Sequence, residues 1–137
     1  MRRRALLLAL PLGSSGCSTP PQTAALRGAA QASWPRRVEL ESVPFFPQTR
    51  DHCGPAALAT VLAHQGLAAD LQQLGDAIYL PGRRGTLQLE LLGGARRAGA
   101  VATRLPGDMA ALLREIAAGH PVLLLQNRGL VVAPVWH

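Results

Sequence analysis

The chain has 137 residues, 48% of them apolar and 16% charged, which gives room for one domain and too little polarity for a disordered chain. Its formal charge is +6, yet all 14 basic residues are Arg, and only 4% of residues are aromatic. The stacking platforms of a single-strand binder are missing, and no nucleic-acid partner is expected.

Residues 1–16 read as a bacterial export signal. Arg2, Arg3 and Arg4 form a basic start, Ala5 to Leu12 an apolar run, and small residues lead into Cys17. The run is far shorter than the roughly 18 to 20 residues that span a bilayer, so the protein is expected to be exported and not embedded. Small residues running into a Cys resemble the lipobox of bacterial lipoproteins. That resemblance implies a lipid on Cys17, and hence a membrane-anchored lipoprotein facing the periplasm or the cell surface. Ser14 stands where that pattern prefers Leu, and an ordinary secretory signal cut nearby is the alternative. Residues 17–37 mix Pro, Ser, Thr, Ala and Gln without an apolar period and read as a tether. Removing residues 1–16 takes away three Arg and leaves 11 against 8 acidic residues, so much of the basic balance belongs to the signal.

Residues 38–137 are expected to form the folded domain. Val43 to Gln48 is an extended, proline-bounded approach. From Gly54 to Gln65, Ala57, Leu58, Val61 and Leu62 recur on one helical face, with Pro55 in the first turn and Gly66 suited to the C′ position. Asp70 is expected to cap a short helix carrying Leu71, Leu74 and Ile78, ended by Pro81-Gly82. Thr86 opens a longer helix to about Ala98, weakened by Gly93 and Gly94 by about 1 kcal/mol each. Ala100 to Leu105 is expected to be a short strand. Asp108 caps a further helix through Leu112, Leu113 and Ile116, which Gly119 ends. The two apolar runs around Asn127-Arg128-Gly129 predict strand, turn, strand, and the pattern stops in mid-course at His137, as though C-terminally truncated. Helices followed by strands point to an α+β domain.

Cys53 is the sharpest chemical signal. With Cys17 lipidated it has no disulfide partner, and an odd thiol in an exported protein is a candidate nucleophile. Its place at a helix N-terminus favours the thiolate through the free N–H groups and partial positive charge there. The alternative is a small buried core Cys. Among four histidines, His52 adjoins Cys53 and reads as exposed at a cleft rim. His64 lies about three turns away along the helix, and His120 reads as surface. His137, at the end of an apolar strand, is by elimination the best general base. The Arg pairs at 36–37, 83–84 and 96–97 read as solvated faces, and Gly93-Gly94 as a helix with a close packing contact. Cys53 and the histidines lack a compact metal-ligand spacing, so no metal is expected.

The run VPFFPQTRDHCGPAALATVLAHQG, residues 43–66, followed by LPGRRGTLQLELLGGARRAG, GHPVLLLQN and PVWH, resembles family thirty-nine of the cysteine peptidases. These are papain-like enzymes that remove leader peptides from bacteriocins, and the likeness is to a stand-alone exported lipoprotein branch. It implies the N-terminal helical half of a papain-like fold plus the first strands of its antiparallel sheet. It also implies Cys53 as nucleophile, His137 as base and the Gln48 amide as an oxyanion donor. The third member of the family's triad, an Asp or Asn, has no counterpart. The implied function is exported peptide-bond hydrolysis of a peptide or protein substrate. No cofactor is expected, and no ATP, since no Walker motif is present. A cell-wall amidase or acyltransferase, or a non-catalytic peptide-binding lipoprotein with a degenerate cleft, are the alternatives.

Overall fold

The computed structural model describes residues 19–28, 35, 37–127 and 132–133. Five α-helices follow in order: α1 (Pro21–Gly28), α2 (Cys53–His64), α3 (Leu71–Ile78), α4 (Gln88–Arg97) and α5 (Met109–Ala117). A short 3₁₀ turn at Pro81–Arg83 joins α3 to α4.

Local chemistry explains the boundaries. The Asp70 carboxylate accepts from Gln73 N at 2.8 Å, and Asp108 from Ala111 N at 2.7 Å, each satisfying an orphan donor of the first turn. At the far end of α2, Gly66 adopts φ +73°. Its N–H reaches Ala63 O, and Leu67 N reaches Leu62 O, both at 3.0 Å. This pair of bonds is a Schellman closure, and the left-handed residue it needs costs glycine no Cβ clash. Gly99 and Gly119 end α4 and α5 by the same two bonds.

α2, α3 and α4 pack on one another around Leu58, Ala59, Leu62, Leu74, Ile78 and Ala95, with Phe46, Leu67, Leu71 and Leu91 partly buried at the margin. Gly94 lies at the centre of this junction. A Cβ built there stands 2.7 Å from Ile78 Cγ2 and 3.1 Å from Leu58 Cδ2, so the close packing contact read from the glycine pair falls on Gly94. Gly54 plays a similar part at the start of α2, where an added Cβ meets Thr86 Cβ at 2.6 Å. α1 lies within the stretch read as a tether and packs against α5. The Gln22 side chain accepts from Met109 N at 2.8 Å and donates to Gly107 O at 3.4 Å.

The expected α+β, papain-like class is overturned. The described residues are mostly helical and hold no strand and no antiparallel sheet. Leu80 and Gly85 form an isolated antiparallel bridge, and Asn127 and Ala133 have single-residue bridge character. The strand expected at Ala100–Leu105 is irregular, and one of its carbonyls turns to a side chain instead of a neighbouring strand: Arg96 Nη2 and Nε donate to Ala102 O at 2.8 and 3.1 Å. Val101 there is 98% exposed. From Pro121 to Gln126 the backbone likewise forms no strand, and Leu123, Leu124 and Leu125 stay exposed. An apolar run becomes a strand only where a neighbour takes up its N–H and C=O groups.

Candidate functional site

Cys53 is the first residue of α2 and its thiol is exposed and free. The buried-core alternative for this residue does not hold. The first intrahelical bond of α2 runs from Ala56 N to His52 O at 3.2 Å. Pro55 has no N–H, and His52 provides no side-chain cap. The N–H groups of Cys53 and Gly54 are therefore without partners among the described residues, which leaves two donors beside the thiol.

Gln48, Thr49 and His52, from the segment leading into α2, face the outer side of α3 across a cleft of about 420 Å³. Leu71, Gln72, Gly75, Asp76 and Tyr79 line it from the α3 side, together with Pro81. His52 is not the exposed rim residue expected from its sequence position. Its ring is half-buried and stacks on Tyr79, with centroids 4.2 Å apart and planes inclined by 16°. Gly75 lies beside this stack, where a Cβ would stand in ordinary contact, 3.8 Å from His52 Cδ2. His52 Nδ1 lies 2.9 Å from Arg50 O. A carbonyl only accepts, so Nδ1 carries the hydrogen and Nε2 is left as the acceptor of the neutral ring.

The segment before α2 is fixed from outside the cleft. Asp51 adopts φ +67° and Arg84 φ +51°. The two are joined by a forked contact, with Arg84 Nε and Nη2 each 2.9 Å from Asp51 Oδ2. Arg84 is exposed, as the reading of the Arg pairs as solvated faces expects, and its guanidinium pairs with Asp51 at the surface. Left-handed backbone at non-glycine residues is uncommon, and here two such residues are joined by an ion pair.

Of the residues singled out from the sequence, Gln48 and Cys53 stand at the same end of α2. Gln48 lines the cleft, whereas Cys53 stands beside it and is not among the lining residues. His137 and Cys17 lie outside the described residues. His64 ends α2, and His120 is exposed with Nδ1 2.8 Å from Glu115 Oε2. Among the described residues no group of three or more His, Cys, Asp or Glu is placed to hold a metal, and no helix is long and apolar enough to cross a membrane.

Sequence reasoning missed the α3 wall. Its signal was present: Gln72, Asp76 and Tyr79 recur four and three residues apart, on a stripe separate from the buried Leu74 and Ile78. The Asp51–Arg84 pair, 33 residues apart, had no local signal. Compared with family models, curated proteins and solved structures, the chain finds no match, so the reading of this site rests on its own chemistry.

Proposed function

We propose that the protein is an exported thiol hydrolase acting on peptide bonds, with Cys53 as nucleophile. The observation that supports this reading most is the exposed thiol at the first position of α2, beside two N–H donors without partners among the described residues and at the same end of the helix as Gln48. The Cys53 thiolate attacks the scissile carbonyl carbon, and the Gln48 amide and Cys53 N–H hold the oxyanion. His137, the base implied by the resemblance to leader-peptide peptidases, takes the thiol proton and delivers it to the departing amine. Water, deprotonated by the same ring, then hydrolyses the thioester. A lipid on Cys17 would hold this activity at a membrane surface.

One observation favours a second reading, a peptide-binding lipoprotein without turnover: Cys53 does not line the cleft. The Cys53→Ala variant separates the two. Its thermal melt should stay close to that of the parent, because the thiol is exposed, while hydrolysis of casein and of a leader-type peptide should fall to background. Cleavage retained in the folded variant would overturn the nucleophile assignment. Absence of cleavage in the parent, with peptide binding intact, would favour the binding module.

A further inference from the structure

The cleft between the Gln48–His52 segment and α3 has an uneven charge. Asp76 is the one carboxylate among its lining residues, and no Arg or Lys is among them. Gln72 Nε2 donates to Asp76 Oδ1 at 3.1 Å, which leaves Oδ2 with no partner among the described residues. Asp76 forms no ion pair among these residues either. The nearest basic residues in sequence do not offset it. Arg84 is taken up by Asp51, and Arg50 and Arg83 are exposed and do not line the cleft.

The remaining groups are suited to a flat cation. The side-chain oxygens of Gln48 and Gln72, the Thr49 and Tyr79 hydroxyls and His52 Nε2 are all able to accept. The stacked His52–Tyr79 pair adds an aromatic wall, against which a guanidinium gains a further electrostatic attraction. A guanidinium presents five donors in a rigid fork and needs this mixture of one carboxylate, several neutral acceptors and an aromatic surface. A volume of about 420 Å³ admits such a side chain together with the backbone that carries it.

We propose that this cleft is a specificity subsite that binds an arginine side chain of the peptide substrate, with Asp76 as the residue that recognises its charge. The proposal rests on the reading of Cys53 as the nucleophile of a peptide hydrolase, because it assigns the residue selected beside that thiol. The subsite takes the cation on an extended peptide, not as a free amine.

Binding can be measured without turnover. The full chain carrying Cys53→Ala is titrated with acetyl-Ala-Ala-Arg-Ala-Ala-amide, with the same peptide bearing citrulline in place of Arg, and with agmatine, while the amide resonances of Thr49, Gly75 and Tyr79 are followed by NMR. The Arg peptide should bind about threefold more tightly than the citrulline peptide, the difference expected for one ion pair at an exposed carboxylate. Asp76→Asn, at an exposed helix position, should keep the melt and the amide spectrum and lose that preference. Equal affinity for Arg and citrulline peptides, or a preference that survives Asp76→Asn, would overturn the proposal. Agmatine binding as tightly as the Arg peptide would overturn its peptide part. Because Cys53 is absent from this experiment, failure of the nucleophile assignment shows in the cleavage assay alone.

Discussion

Gln48 illustrates how much one side chain is asked to do. It is exposed, makes no hydrogen bond of its own among the described residues, and lines the cleft at the end of α2 where the thiol stands. If its amide stabilises an oxyanion, it acts on charge that develops only in the transition state. Gln48→Ala should then lower kcat by about 10²- to 10³-fold, with KM little changed. Steady-state kinetics beside circular dichroism checks this, and a variant with unchanged kcat contradicts the role. Cys53 was legible because its surroundings are local: a Gly-Pro pair one residue on sets the helix start, and the helix start sets the donors. The stack of His52 on Tyr79 was not, because the two residues are brought together by the packing of α2 on α3.

At the scale of the elements, the two glycines of α4 separate propensity from packing. An alanine in a helix interior is favoured over glycine by about 1 kcal/mol. At Gly93 an added Cβ meets only the Arg97 guanidinium end, with Nη1 at 3.1 Å, and that flexible group can move. Gly93→Ala should therefore raise stability by up to about 1 kcal/mol. At Gly94 the same methyl drives into Ile78 and Leu58, both almost fully buried. Overpacking of this kind costs about 1 to 3 kcal/mol, which outweighs the propensity gain, so Gly94→Ala should lower stability. Urea melts of the two variants should shift in opposite directions, and a stabilised Gly94→Ala would show that α4 can move away from its neighbours. Helices α2 to α5 were readable because caps, Schellman glycines and apolar spacing lie within a few residues of each other, whereas α1 falls in the stretch read as a tether. The runs at Ala100–Leu105 and after Pro121 carried apolar residues too, but a strand is defined by a partner that no local pattern supplies.

For the molecule as a whole, the proposed location can be tested at Cys17. Lipid chains contribute roughly 0.8 kcal/mol per buried CH₂, and stable anchoring needs more than one chain or a second signal. The parent protein should incorporate labelled palmitate and sediment with membranes, whereas Cys17→Ser should lose the label. An unlabelled, unsedimented parent would refute the anchor. α2, α3 and α4 are consecutive and pack mutually, whereas the Gln22 clasp joins α1 to residues 85 and 87 positions away.

That difference in spacing has a kinetic consequence. Contacts between neighbouring helices close short loops, and chains dominated by them collapse in microseconds to milliseconds. The α1–α5 clasp must instead close a loop that spans most of the described chain, at a larger entropic cost and with no fully buried residue in α1 in return. Refolding followed at a probe on α2 should therefore be complete while Gln22 is still searching for Met109. Gln22→Ala should leave that fast phase unchanged and alter only the rate at which α1 is released. Equal slowing of both would mean that the clasp belongs to the folding nucleus.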